Sequence, residues 1–192
     1  MKYLNVRNIS RIAILGALGA VLLSFNPIAI LFYKFDLGDL PCLIGAFAMG
    51  PIPAFFIQVI KIIIKLIFKP TSTKFVGEIT AFIFSCALTI PAGYIYQRNR
   101  TRIGAIRAMV ISSIIMVIVA CLTNYYYSIP FYADLYQMPV SAIVSMGSNI
   151  IPIIKNLETF ILYLVLPFNI LQALLVDIIT LLIYKRIVRL IK

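Results

Sequence analysis

Histidine is absent from the sequence, which removes the usual imidazole metal ligand and the commonest general base. Charge is scarce too. Only 12% of residues are charged against 62% hydrophobic, and mean hydropathy is +1.05, a balance that excludes a soluble globular domain. No P-loop, nucleophile elbow or dinucleotide-binding glycine pattern occurs, so the chain is expected neither to hydrolyse ATP itself nor to be an enzyme. The three cysteines, Cys42, Cys86 and Cys121, lie in apolar segments at spacings that match no metal or redox motif. They read as buried small apolar side chains. No internal repeat is visible, which argues against an inverted-repeat transporter. A cleavable signal is not evident either: the first apolar run follows Arg7 and Arg11, leads into Phe25-Asn26-Pro27 and has no small-residue cleavage pattern, so it reads as a first span.

What the sequence has is apolar run after apolar run. With 192 residues and about 20 residues per crossing, the chain has room for five or six membrane helices. The expectation is an all-α polytopic membrane protein, a single domain over residues 1–192, in the cell membrane. The net charge of +11 is explained by topology and anionic headgroups rather than by nucleic acid. The run from Pro41 to Phe68 is interrupted by Gly50-Pro51-Ile52-Pro53, and the charges decide how to read it. As one span it leaves eight Lys/Arg inside and nine outside. With a turn there, Lys2, Arg7, Arg11, Arg98, Arg100, Arg102, Arg107, Lys185, Arg186, Arg189 and Lys192 all face the cytoplasm, eleven of the 17 basic residues, as the positive-inside rule favours. Six spans with both termini cytoplasmic follow, although each half of the divided run is short for a crossing.

Several positions stand out along the chain. In span one, Ala13, Gly16, Ala17 and Ala20 recur at spacings of three and four, a small-residue face that lets a helix of this chain or of a partner approach closely. The stretch from Ile28 to Asp39 reads as an ordered loop, with Tyr33 to Gly38, including Phe35 and Leu37, placed as a lid. Asp39 before Leu40-Pro41 reads as a helix cap. Lys61, Lys65 and Lys69 form a stripe; snorkelling explains the last two, while Lys61 is deep enough for an inward role. Glu78 is an intramembrane carboxylate and so a functional candidate, within reach of Lys61 or Lys74. Asn124 precedes Tyr125, Tyr126 and Tyr127, and an amide beside aromatic faces suits a flat heteroaromatic ligand. The polar stretch Ala133 to Asn149 is long enough for short interfacial helices. The last apolar segment exceeds one crossing and must kink at Pro167 or protrude. Just after that proline, Asn169 and Gln172 are three apart and share a helix face. An unpaired amide in hydrocarbon costs about 2–7 kcal/mol, so the two have a partner, either another helix or a ligand. Asp177 reads as a snorkelling or interface group.

The ordered set Asp39-Leu40-Pro41, Ala48-Met49-Gly50-Pro51, Val76-Gly77-Glu78, Leu122-Thr123-Asn124-Tyr125, Met138-Pro139 and Leu166-Pro167-Phe168-Asn169 resembles the riboflavin-specific S components of energy-coupling factor (ECF) transporters, over nearly the whole chain. The resemblance implies a six-helix substrate-binding membrane protein without its own ATPase, working with a transmembrane coupling protein and two ATP-binding subunits. It implies that Ala13-x-x-x-Ala17, continued by Ala20, docks onto the coupling protein. It also implies that Asn124 and Asn169 hydrogen-bond a flavin, and that the loop between spans one and two, with Phe35 and Leu37, covers the pocket. One departure stands out, because the family usually has a lysine where this chain has Gln172, which keeps a donor, gains an acceptor and loses the charge. The reading that results is riboflavin capture from outside, with no cofactor. Asn124, Asn169 and Gln172 read the polar edges, Tyr125 and other aromatics hold the ring, and Glu78 or Lys61 meets the ribityl chain. The alternatives are an S component for another flavin or planar vitamin, a solitary facilitator, and a structural membrane protein without a small-molecule ligand.

Overall fold

The computed structural model describes residues 5–24, 29–30, 33–71 and 73–191. The expected end of span one at Asn26-Pro27 lies outside the described residues, as does part of the loop that follows. Apolar stretches fold as helices because a backbone in hydrocarbon must satisfy its own hydrogen bonds. The chain runs through α1 (Val6–Ser24), a two-residue antiparallel pair β1 (Ala29–Ile30) and β2 (Tyr33–Lys34), then α2 (Asp39–Met49), α3 (Pro51–Phe68), α4 (Val76–Arg98) and α5 (Arg102–Thr123). A π-turn over Asn124–Ser128 leads into α6 (Ile129–Leu135) and α7 (Val140–Ser148). After α8 (Leu157–Phe160), a second π-turn over Ile161–Val165 leads into α9 (Leu166–Ile191).

The expected turn at Gly50 is present. Gly50 has φ +100°, a backbone conformation that glycine adopts without steric cost, and Pro51 then starts α3 where a missing N–H is harmless. Among the described residues, five helical stretches are long and apolar enough to cross a membrane, and α2 is a shorter apolar sixth. At about 1.5 Å per residue, the 11 residues of α2 reach little more than half of the hydrocarbon core of about 30 Å. Protein shields it instead, since Asp39 to Ala48 are all buried. Its neighbours are α1 and α3 on one side and α4 and α9 on another. Leu43, Ile44, Phe47, Leu88, Ala92, Ala108, Met116 and Val176 form the central core.

Asp39 is not a cap. It is the first residue of α2, and the helix start carries no side-chain cap hydrogen bond; its carboxylate turns instead to the Lys61 ammonium at 2.8 Å. A fully buried ammonium needs a counter-charge far more than a helix end needs an acceptor.

The two π-turns share a cause. Each ends two residues before a proline, Pro130 in one case and Pro167 in the other. A proline ring clashes with the carbonyl four residues back and removes a donor, and a widened turn relieves both. The expected bend at Pro167 is thus a π-turn just before it. The expected short helices after span five are α6 and α7. At the opposite end of the bundle, Phe47, Tyr96 and Tyr184 cluster, the Tyr184 ring edge-on to the other two.

Candidate functional site

The π-turns put two asparagines side by side across the bundle. Asn124 opens the first, Asn169 follows the second by one helical turn, and the two turns touch. Both carboxamides make the same local bond: Asn124 Nδ2 donates to the Ala120 carbonyl at 2.8 Å, and Asn169 Nδ2 donates to the Val165 carbonyl at 2.8 Å. A carbonyl accepts only from the nitrogen corner of an amide, so each oxygen corner is turned away from its own helix. Asn169 and Asn124 are 3% and 1% exposed, and both line a cavity of 270 Å³.

That cavity lies among α3, α4, α5 and α9, beside the Phe35–Gly38 segment. Phe84, Met116 and Phe168 give it apolar walls, while Lys65, Lys69, Thr73, Glu78 and Tyr132 line it where α3 passes into α4. Glu78 and Ser85 both line it from α4, seven residues apart in the sequence, a depth of about 10 Å along a helix. Thr80 Oγ1 and Ser128 Oγ, 3.0 Å apart, join α4 to the first π-turn across the wall.

The charged candidates are held by protein. Glu78 Oε1 accepts from Lys65, and its other oxygen accepts from Thr71 Oγ1 at 2.9 Å and Thr73 Oγ1 at 3.3 Å. Its partner is therefore Lys65, one turn along the stripe, rather than Lys61 or Lys74. Lys61 points inward and is fully buried. Its Nζ donates to Asp36 Oδ2 at 2.8 Å, Asp39 Oδ1 at 2.8 Å and Ser85 Oγ at 3.1 Å. An ammonium has three donors. All three are used, so Lys61 has none left for a ribityl hydroxyl. Burial first, and then the charge of Asp39, push the Asp36 carboxyl up to about 6 against the pull of Lys61.

Gln172 also finds protein. Its Oε1 accepts from the Asp36 N–H at 3.0 Å and its Nε2 donates to the Asp36 carbonyl at 3.1 Å. Phe35 lies against Phe168, ring centroids 4.7 Å apart, and Leu37 packs partly buried against the central core. These two hold the segment beside the cavity without lining it. Tyr125 stands outside as well, with its ring edge-on to Tyr126. Sequence reading passed over Phe84 and Met116, which look like any other apolar residue. It also passed over Asp36, whose only signal was a second carboxylate three residues before Asp39. On α1, Ala13 is exposed and Ala17 half-buried, whereas Ala20 is 3% exposed and turned into the protein, so it does not continue the outward face. Gly19 is also inward, and a Cβ there would meet the Gly38 carbonyl at 3.1 Å. Asp177 is tied to α5, accepting from Ser113 Oγ at 2.6 Å. Among the described residues, no group of three or more cysteine or acidic side chains gathers as a metal site.

Comparisons with known proteins bear on the fold and the family. The family model described as "ECF transporter, substrate-specific component" matches residues 7–184. The chain is 26% identical over 195 residues to "Riboflavin transporter RibU" of Staphylococcus aureus (strain TCH60), covering 98% of this chain and 96% of that one. It is 20% identical over 188 residues to "Riboflavin transporter FmnP" of Bacillus subtilis (strain 168), covering 96% and 93%. Among solved structures, one described as "Structure and mechanism of the S component of a bacterial ECF transporter" superposes with a TM-score of 0.72 at 22% identity, covering 96% of both chains.

Proposed function

The chain belongs to the substrate-specific components of ECF transporters, and from that premise we propose that it captures riboflavin in the cavity between α3, α4, α5 and α9. The observation that carries this reading is the pair of asparagines, oxygen corners turned from their own helices, beside Phe84 and Phe168 in one cavity. A flavin ring presents apolar faces and an edge carrying an imide N–H. Aromatic walls accept the faces, and a pre-set amide oxygen accepts the N–H without reorganisation. The hydroxylated chain of the ligand lies towards Thr73, Tyr132 and the Lys65–Glu78 pair, which offer hydrogen bonds without an uncompensated charge. Lys61 plays no direct part.

Release to the cytoplasm in this reading needs an ATP-driven partner module, as membership of the substrate-specific components of ECF transporters supports. In this reading a transmembrane coupling protein docks against Ala13 and Ala17 on the outward face of α1, and two ATP-binding subunits drive release. Both termini face the cytoplasm. Two contacts support that orientation: Gln97 Nε2 lies 3.5 Å from the Phe47 carbonyl and the Tyr96 and Tyr184 rings are 6.1 Å apart. They gather the Gly50 turn, the arginine-rich α4–α5 loop and the basic end of α9 at one end of the bundle, where the positive-inside rule puts the cytoplasm. The cavity then opens outward.

The test is the absorbance spectrum of the protein purified in mild detergent from riboflavin-supplied cells. Near-stoichiometric flavin bands are expected. A colourless protein that also leaves added riboflavin fluorescence unchanged contradicts the assignment.

A further inference from the structure

Gln172 lines the cavity, yet both polar corners of its amide are engaged by the backbone of Asp36. We infer that Gln172 is a positioning residue, a latch that fastens the Phe35–Gly38 segment to α9 and sets how readily that wall of the cavity opens. This rests on the reading of the cavity as a small-molecule site.

The chemistry fits the residue. A peptide unit offers an N–H and a C=O, and a primary amide offers the complementary pair in one plane, so the glutamine reproduces the two-bond pairing of a neighbouring strand. Lysine lacks the acceptor and leucine lacks both groups. The partner is 136 residues away in sequence, so the pairing joins separate walls of the cavity rather than closing a local turn. Elsewhere the segment is held by different means. Gly38 N donates to Asp36 Oδ1 within the segment, Phe35 leans on Phe168, and the Asp36 carboxylate is held by Lys61. Asp36 is thus gripped from α3 through its side chain and from α9 through its backbone. The α3 grip is a buried ion pair, whose rupture strands charge and is costly. The α9 grip consists of two neutral hydrogen bonds, each with a net worth of up to about tenfold in an equilibrium. Of the two it is the one that releases.

The test is hydrogen–deuterium exchange of the intact chain in lipid nanodiscs, without ligand, comparing the parent with Gln172→Met and Gln172→Glu. Methionine keeps the length and apolar bulk and loses both bonds; glutamate keeps the acceptor for the Asp36 N–H. Exchange of the peptide covering residues 35–38 is expected to rise about 10- to 100-fold in Gln172→Met, the loss of two hydrogen bonds. The rise in Gln172→Glu is expected to be smaller, with α4 and α5 unchanged in both. In a parallel stopped-flow measurement the flavin dissociation rate rises in the same order. Unchanged exchange at 35–38 with flavin affinity lost overturns the latch and makes Gln172 a direct ligand contact. Exchange rising equally throughout the bundle also overturns it, as a loss of general packing. A selective rise in a protein that binds no flavin upholds the latch and removes the proposed ligand instead.

Discussion

Lys61 separates the residues that touch a ligand from those that hold the site together. Its depth was legible from the i, i+4 stripe with Lys65 and Lys69, but its role was not, because its partners Asp36 and Asp39 lie 25 and 22 positions away and only the fold brings them in. A buried cation with two carboxylates is worth little as a net stabiliser against an apolar replacement of the whole group, yet removing one partner strands the others. Lys61→Met is therefore expected to destabilise the protein by about 3–5 kcal/mol, read as a lower melting temperature in detergent. Combining it with Asp36→Asn and Asp39→Asn is expected to recover much of that loss. A single mutant that melts like the parent contradicts the account of the cluster. Asn169 and Gln172 were legible as a pair because three positions on a helix share a face. Their division of labour was not, since nothing local to Gln172 announces the backbone of Asp36.

At the scale of elements, the π-turns are what a sequence conceals. The prolines signalled a bend, and the hydropathy signalled crossings, but a π-turn has the same apolar pattern as an α-turn and differs only in which carbonyl each N–H reaches. Its consequence is rotation, because one extra residue per turn advances everything after it around the helix. If Pro167 is the cause of the second π-turn, Pro167→Ala restores a donor and removes the clash, so the turn is free to close and Asn169 rotates off the cavity. The expected result is a folded protein whose riboflavin affinity falls about tenfold or more, the order of one well-placed hydrogen bond, measured by fluorescence quenching. Unchanged affinity contradicts the link between the proline and the site. Gly50 is the opposite case. The Gly-Pro-Ile-Pro punctuation and the balance of charge marked the turn in advance, and what the sequence withheld was how α2 survives at 11 residues. Burial on every side answers that, and burial is a property of neighbours.

At the scale of the molecule, the division is between a bundle that hydropathy announces and a cavity that it does not. The helices, the membrane setting and the family are written in long apolar runs and in motifs spread over nearly the whole chain. The cavity is a gap between helices, walled by ordinary apolar residues such as Phe84 and Met116 and by polar groups whose bonding depends on distant partners. The resemblance directs attention to Asn124 and Asn169, and the shared i→i−4 bond gives both carboxamides the same local orientation at the cavity wall. The most direct measurement is a riboflavin titration of purified protein, followed by fluorescence quenching, with Asn169→Ala beside the parent. The account predicts tight, near-stoichiometric binding by the parent. In Asn169→Ala it predicts affinity weaker by at least about tenfold, the loss of one buried hydrogen bond to the ligand, with an unchanged melting profile. Equal affinity in the two proteins contradicts the placement of riboflavin between Asn124 and Asn169.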